Sequence, residues 1–279
     1  MNWQTVLYEK DGNIAKITLN RPDKRNAQNY QLIVELDEAM KQAERDEEVR
    51  VIILAGAGPS FSSGHDMSGM APEGGMAAWR MGSEGHRKFE QEIFVDKCLY
   101  IRNLPKPTIA QVHGYCIAAG VMLACMCDLI VASDDAQFSN PVARLFAASG
   151  VELLIEPWEM GVRKAKELLF TGDFIDAKEA HRLGMVNKVV PRDKLEEEVM
   201  ELAKKIALMP PLALSLTKMS LNRTLDIQGY SQSMSCHFDV HMLAHGSDEA
   251  RSLIEAAVER GLTGVKAFTE HRDEKLKES

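Results

Sequence analysis

The unbroken apolar run at residues 51–55 constrains the fold of this chain more than any other feature of the sequence. A strand with one solvated face alternates apolar and polar residues, whereas a continuous apolar run of this length is typical of a strand covered on both faces. Strand-like apolar segments recur at residues 108–112 and 128–132, and a short helical stretch at residues 120–125 lies between them. Strands that alternate with helices predict an α/β fold with a parallel sheet and crossover connections.

The segments before this run fit the same pattern. Residues 15–19 alternate apolar with polar side chains, which indicates a half-buried strand, and apolar residues then recur at helical spacing from residue 32 to residue 43. A later segment, residues 68–87, is rich in glycine and methionine and is expected to be a mobile loop.

The second half of the chain is predicted to be mainly helical. After about residue 160 the strand signals thin out, and Asp176 with Glu179 forms a predicted capping box on a helix that ends at Gly184. Further amphipathic segments follow, interrupted at two glycines. The sequence therefore predicts an α/β core over residues 1–200 and a helical region over residues 201–279.

Composition excludes some classes of function. The formal net charge of -8 offers no general attraction for nucleic acid, although a local basic cluster could still hold an anionic ligand. The chain has no signal-peptide pattern at its start, and no apolar run approaches the roughly 20 residues that span a bilayer. The five cysteines are odd in number and lie mostly in apolar segments. We therefore expect reduced thiols in a cytoplasmic protein without membrane attachment.

Several short motifs carry no chemistry in our interpretation. Gly56, Ala57 and Gly58 follow a predicted strand, but Phe61 occupies the third glycine position of a dinucleotide-binding loop, so a turn is the expected structure. The sequence contains no nucleophile elbow of a serine hydrolase and no zinc-protease motif.

Three histidines lie on one face of a predicted helix, at His237, His241 and His245. Two of them could bind a metal ion, but no acidic residue nearby in the sequence completes a ligand set. We therefore predict a solvated or interface face and no metal.

Two glycine-containing turns, residues 61–67 and 113–120, each follow a buried strand. Small residues let the backbone approach a ligand closely, and amides at the start of a helix have no partner within it. Two such amides that meet at one oxygen would form an oxyanion hole. Spacing alone leaves open whether the turns meet or only serve packing.

These segments, taken in order, resemble the crotonase (enoyl-CoA hydratase/isomerase) superfamily. The resemblance runs from residues 17–22, with Asn26 and Ala27, through the two turns to residues 177–184 and 267–268. It implies a spiral ββα core with a C-terminal helical trimerisation region, assembled as a homotrimer or a dimer of trimers. It also implies an enzyme of fatty acid metabolism, a lyase or isomerase, that acts on an acyl-CoA thioester. No permanently bound cofactor is implied, because coenzyme A enters as part of the substrate.

The same resemblance assigns roles by position. The amides of His65 and Ala119, with Gly120 beside the latter, would bind the thioester carbonyl. The implied substrate-binding residues are Lys24, Arg25 and Phe268 at the coenzyme A, Ser63, Gly64, Asp66 and Met67 around the first turn, and also Met122 and Val142.

The chain departs from family hydratases at both glutamates. Their positions hold Met122 and Val142, and neither side chain can take up or deliver a proton. Ordinary hydration should therefore be severely impaired. Glu152 is the candidate replacement, although a surface helix carboxylate fits that position equally well, and the imidazole of His65 is a second candidate.

Two functions remain open on the sequence. The first is an enzyme that stabilises an enolate and acts as an atypical hydratase, isomerase, decarboxylase, hydrolase or C–C-cleaving enzyme. The second is a non-catalytic protein that binds coenzyme A thioesters, which the loss of both glutamates would also explain. The acyl group is not encoded in any pattern that we recognise.

Overall fold

The computed structural model describes residues 3–66, 82–143, 150–250 and 252. Its main sheet has six strands in the order β1-β2-β3-β4-β6-β9. The first five of these are β1 Val6–Asp11, β2 Ile14–Leu19, β3 Val51–Gly56, β4 Thr108–Val112 and β6 Leu129–Ser133. The sixth, β9 Lys188–Val190, lies at the far edge, and every neighbouring pair except β1 with β2 is parallel.

Strand β3 is buried on both faces, as the apolar run predicts. Ile52 and Leu54 lie in the larger hydrophobic core, whereas Val51 and Ile53 point to the opposite face and a second, smaller core. Alternate residues of a strand face opposite sides of the sheet, so each layer of helices receives every second side chain.

Helices cover both faces of the sheet. The described helices are α1 Tyr30–Arg45, α2 Gly82–Glu90, α3 Asp96–Asn103, α4 Ala119–Cys125, α5 Glu156–Met160, α6 Val162–Thr171, α7 Ala177–Leu183, α8 Leu195–Ala207, α9 Pro211–Ile227 and α10 Tyr230–His245. Helix α1 contributes to the larger core, and α8 covers the smaller one. A single turn of π-helix, Gln91–Val95, joins α2 to α3.

A second sheet of three short strands lies beside the main sheet. It consists of β5 Tyr115–Ile117, β7 Gln137–Ser139 and β8 Ile175–Asp176, in the order β5-β7-β8. Strand β5 is parallel to β7 and leads directly into α4. This sheet therefore fixes the start of α4 against the rest of the core.

The predicted helix ends are confirmed. The side chain of Asp176 accepts a hydrogen bond from the amide of Glu179, and Gly184 ends α7 in the left-handed region. Gly229 has a φ of +106° and separates α9 from α10, which accounts for one predicted break. The division at residue 200 stays a prediction, and α8 spans it.

Two features differ from the sequence predictions. The segment 82–87, expected to be part of a mobile loop, lies within α2, and the remainder of that loop falls outside the described residues. Strands β8 and β9 are present although the strand signal is weak after residue 160. Each has only two or three residues, too few for an alternating pattern to be detected.

Among the helices of the described segments, none is both long enough and apolar enough to cross a membrane. All five cysteines are free, as expected for reduced thiols.

Candidate active site

The two glycine-containing turns lie against each other. A Cβ atom built on Gly120 would lie 2.6 Å from the carbonyl oxygen of Ser62. One built on Gly64 would lie 2.9 Å from the carbonyl oxygen of Ile117, and Gly64 also has a φ of +89°. A residue without a side chain is therefore required at both positions for the backbones to approach this closely. The contact that spacing left open is present in the fold.

Hydrogen bonds fix the two turns to each other. The amide of Ser62 donates to the carbonyl of Tyr115 at 3.1 Å, and the amide of Ile117 donates to the carbonyl of Ser62 at 3.0 Å. The buried side-chain amide of Gln28 donates to Ser62 Oγ and to the carbonyl of Ala119, each at 3.1 Å. Gln28 was not identified from the sequence, because no hydropathy pattern marks a buried glutamine.

The amide of His65 points away from the strand-like segment beside it. Gln28 and His65 face each other in an isolated parallel β-bridge, and Gln28 makes both of its hydrogen bonds. The backbone amide of Gln28 donates to the carbonyl of Gly64 at 2.8 Å, and its carbonyl accepts from the amide of Asp66 at 3.0 Å. The amide of His65 therefore faces the opposite side. Ala119 is the first residue of α4, so its amide has no partner within the helix. Neither amide donates to an acceptor in the described segments.

Ala118, directly before α4, has an unusual backbone conformation. Its φ is +50° and its ψ is −114°, a region that residues with a Cβ rarely adopt. Its amide donates to the carbonyl of Ser139 at 2.8 Å, which holds the turn in place. Such strain costs on the order of 1–3 kcal/mol and is found mostly at functional sites. The sequence gives no signal of it, because alanine is compatible with an ordinary helix start.

A buried histidine–carboxylate pair lies at the first turn. Nδ1 of His65 is 3.4 Å from Oε1 of Glu152, and only 12% and 3% of their side chains are exposed. The ring of His65 stacks on Phe94 of the π-helix with a centroid distance of 4.1 Å. Nε2 of His65 and Oε2 of Glu152 are buried without a hydrogen bond to the described residues. The alternative of a surface carboxylate at Glu152 is therefore wrong.

Two histidines of α10 hold the segment that carries Glu152. His237 Nε2 lies 2.7 Å from the carbonyl oxygen of Val151, and His241 Nδ1 lies 2.9 Å from that of Gly150. Both side chains are buried, so the predicted solvated or interface face is wrong. Burial lowers the pKa of His237, which favours the neutral ring. The periodicity was identified correctly, but spacing does not show which face of a helix is covered.

The two positions at which the resemblance implies glutamates are apolar and buried. The side chain of Met122 is fully buried in α4, and Val142 is buried close to the end of β7. Both belong to the larger hydrophobic core. Glu152 is thus the carboxylate that the described residues bring to His65.

The basic residues predicted to bind coenzyme A border the first turn. Lys24 and Arg25 are exposed, and the amide of Ser63 donates to the carbonyl of Arg25 at 3.0 Å. The guanidinium of Arg25 lies 5.4 Å above the ring centre of Tyr115. The position suits an anionic ligand at the rim, and the role itself stays a prediction.

Asp66, one of the implied substrate-binding residues, has a contact within the protein. Its carboxylate forms an ion pair with Arg21 at 2.8 Å. Met67 and Phe268, both predicted to contact substrate, lie outside the described residues.

Comparison with known proteins identifies the class of fold. A crystal structure of an enoyl-CoA hydratase/isomerase from Xanthobacter autotrophicus Py2 is 34% identical, with a TM-score of 0.87, and the match covers 98% of this chain and 99% of that one. A probable enoyl-CoA hydratase from Mycobacterium smegmatis is 48% identical, with a TM-score of 0.80 over 86% of this chain and 94% of that one. A monofunctional enoyl-CoA isomerase from the same species is 31% identical, with a TM-score of 0.64 over 80% and 94%. The fold is therefore the mixed α/β crotonase fold.

Sequence comparison then defines the family. The Enoyl-CoA hydratase/isomerase family model matches residues 9–279. A putative enoyl-CoA hydratase of Mycobacterium tuberculosis, EchA13, is 43% identical over 97% of this chain and 91% of its own length. This chain belongs to the enoyl-CoA hydratase/isomerase family and is an acyl-CoA-processing member of it.

Proposed function

We propose that this protein binds the carbonyl oxygen of an acyl-CoA thioester between the amides of His65 and Ala119 and stabilises the enolate. The observation that carries the proposal is the contact between the two turns, where neither amide donates to an acceptor within the described residues. A positioned donor of this kind contributes about 3–4 kcal/mol when negative charge develops on the oxygen. Gly120 adjoins the second donor and permits the approach to Ser62.

Glu152 is the proposed base, and His65 its partner. The carboxylate takes a proton from a carbon next to the conjugated system, and the electron pair moves into the thioester to form the enolate. Return of the proton to a different carbon completes a shift of the double bond. Isomerisation is favoured because one carboxylate can remove and return the proton, whereas hydration also requires a group that activates water. The M. smegmatis relative named as an enoyl-CoA isomerase is consistent with this chemistry.

A non-catalytic thioester-binding protein is the alternative function. The apolar, buried side chains at Met122 and Val142 favour it, because a protein that only binds needs no proton transfer. The buried Glu152–His65 pair favours the enzyme, since burying a carboxylate beside an imidazole costs free energy that binding alone does not require.

The remaining features of the proposal follow the family resemblance. Lys24 and Arg25 would contact the phosphates of coenzyme A, and Phe268 would reach the coenzyme A of a neighbouring subunit. The protein would act in the cytoplasm as a homotrimer or a dimer of trimers. The chemistry needs no permanently bound cofactor, since coenzyme A arrives with the substrate.

A turnover screen of the purified protein against a panel of coenzyme A thioesters, followed by mass spectrometry, tests the proposal. We expect one thioester to be consumed and Glu152→Gln to lower that turnover about 100- to 10,000-fold while the thioester still binds. The matched control is Glu35→Gln, the same change at a partly buried carboxylate that accepts hydrogen bonds from Thr5. Binding without turnover across the panel would support the alternative, and unchanged turnover in Glu152→Gln would exclude Glu152 as the base.

A further inference from the structure

Three electron-donating side chains converge at the end of α10. Nε2 of His241 lies 3.2 Å from Oε2 of Glu90 and 2.8 Å from Nε2 of His245. One ligand atom from each of these three residues lies within 4.8 Å of the other two. The three are largely enclosed, with Glu90 and His241 both buried. Glu90 is the last residue of α2, so the cluster joins two helices that are distant in the sequence.

The hydrogen bonds around the cluster orient its donor atoms. The proton on Nδ1 of His241 is directed to the carbonyl of Gly150 at 2.9 Å, which leaves Nε2 facing Glu90 and His245. Nε2 of His86 lies 2.7 Å from Oε1 of Glu90 and fixes the carboxylate. Histidines that bind metals characteristically donate their second ring N–H to a backbone carbonyl, and their carboxylate partners are themselves hydrogen-bonded.

A cation between these atoms resolves an electrostatic conflict. With its proton on Nδ1, His241 presents a lone pair to a carboxylate oxygen only 3.2 Å away. A second proton on His241, a proton on the carboxyl of Glu90 or a metal ion between the two atoms would remove this repulsion. The carboxylate that faces this lone pair is itself buried, since only 5% of Glu90 is exposed. The site therefore attracts positive charge.

We propose that Glu90, His241 and His245 bind a divalent transition-metal ion of the Zn²⁺ or Fe²⁺ class. Two imidazoles and one carboxylate suit such ions, whereas Mg²⁺ and Ca²⁺ prefer oxygen ligands alone. Histidines four residues apart on one helix face can reach the same ion, as in helical zinc sites. The sequence predicted no metal, because the acidic ligand comes from a different helix.

The site lies next to the proposed acid–base pair. The proposed ligand His241 holds the carbonyl of Gly150, two residues before Glu152. A bound ion would link α2 to α10 next to residues 150–152. The ion is not required for the proposed proton transfer, so metal binding and turnover can be tested separately.

Metal titration of the full-length protein tests the proposal. After treatment with a chelator and dialysis, we expect Zn²⁺ to bind at about one ion per chain by calorimetry and to raise the melting temperature. With Co²⁺ we expect visible absorption bands of nitrogen and oxygen ligation and no thiolate charge-transfer band. Less than about half an ion per chain, or a thiolate band from the cysteines, would overturn the assignment.

Two substitutions locate the ion. Glu90→Gln and His245→Gln should each weaken Zn²⁺ binding by at least about 100-fold, whereas His181→Gln, on α7 outside the cluster, should bind as the unmodified protein does. Equal affinity in all three variants would refute the site. If the two variants fail to fold, the Co²⁺ spectrum of the unmodified protein still decides, because the ligand type is read from it directly.

Discussion

The imidazole Nδ1 of His65 lies 3.4 Å from the carboxylate oxygen Oε1 of Glu152, whose side chain is buried, and only 12% of the His65 side chain is exposed. His65 follows the glycine of the first turn, whereas Glu152 lies in a segment held by α10. The pair brings one carboxylate to the candidate site, whereas the two positions at which the family resemblance implies glutamates hold Met122 and Val142.

Hydration of crotonyl-CoA should be slow. We expect a rate at least about 100-fold below that of a hydratase that retains both glutamates, because Met122 and Val142 cannot transfer protons. Loss of the enoyl thioester absorbance, measured side by side for the two enzymes, checks this. Comparable rates would show that other groups position and activate water.

Substitution of Gly120 by alanine should damage the site. The new Cβ would lie 2.6 Å from the carbonyl oxygen of Ser62, so the turns must separate. We expect a loss of about 1–3 kcal/mol in the free energy of unfolding and a fall in turnover. Gly246→Ala is the control, since its Cβ would meet its nearest atom at 3.5 Å and its φ is −79°. If both variants lose the same stability and turnover, the close approach of the turns is not the reason that residue 120 must be a glycine.

Replacing Ala118 by glycine should stabilise the protein. Glycine adopts a φ of +50° without strain, and relief of about 1–3 kcal/mol outweighs its entropic cost of about 0.5–1 kcal/mol. A net gain of about 1 kcal/mol should appear in chemical denaturation. Ala124→Gly within α4 should instead destabilise, because its backbone is helical and its side chain is buried. A loss of stability in Ala118→Gly would show that the backbone at residue 118 is not strained.

Stability should fall with rising pH because of Glu159. Burial and the neighbouring carboxyl of Glu156 raise the pKa of Glu159 from 4.5 to about 7. The folded state therefore holds a proton that the unfolded state has already released between these pH values. The free energy of unfolding decreases over that interval by up to about 3 kcal/mol from this group. Glu159→Gln has no such proton, so its stability relative to the unmodified protein should rise between pH 4.5 and 7. If the difference in the free energy of unfolding between the variant and the unmodified protein does not change with pH, the raised pKa of Glu159 is wrong.

An exposed apolar stripe on α9 should form part of the contact between subunits in the proposed trimer. Leu212, Leu216 and Met219 share one face at helical spacing, and Leu212 is 71% exposed. Leu212→Asp combined with Leu216→Asp should lower the mass measured by light scattering after gel filtration, since charges would be buried at the subunit contact. Thr217→Asp, on another face of the helix, is the control and should leave the mass unchanged. If the unmodified protein is itself a monomer, the proposal of a homotrimer or a dimer of trimers is wrong.

Much of the fold could be predicted because it follows from local patterns. The apolar run in β3, the strand at β2 and the capping residue Asp176 are each determined by residues close in sequence, and the structure confirms all three elements. The prediction that β2 is half-buried is wrong, because β2 lies between β1 and β3 and even Thr18 is only 8% exposed. The short strand β9 was not predicted, because it is defined by its pairing with β6, which is distant in the sequence. The same distinction holds for helix α10, whose histidines were identified but whose covered face was not.

The sequence by itself determined the long elements such as β3 and α1, the two glycine turns and the lack of glutamates at Met122 and Val142. These are properties of neighbouring residues and of residue identity. Only the tertiary structure decided that the turns meet, that Glu152 is buried against His65, and that Glu90 joins His241 and His245. Each of those contacts joins segments distant in the chain, and their distances are set by how the helices pack on the sheet rather than by any local periodicity.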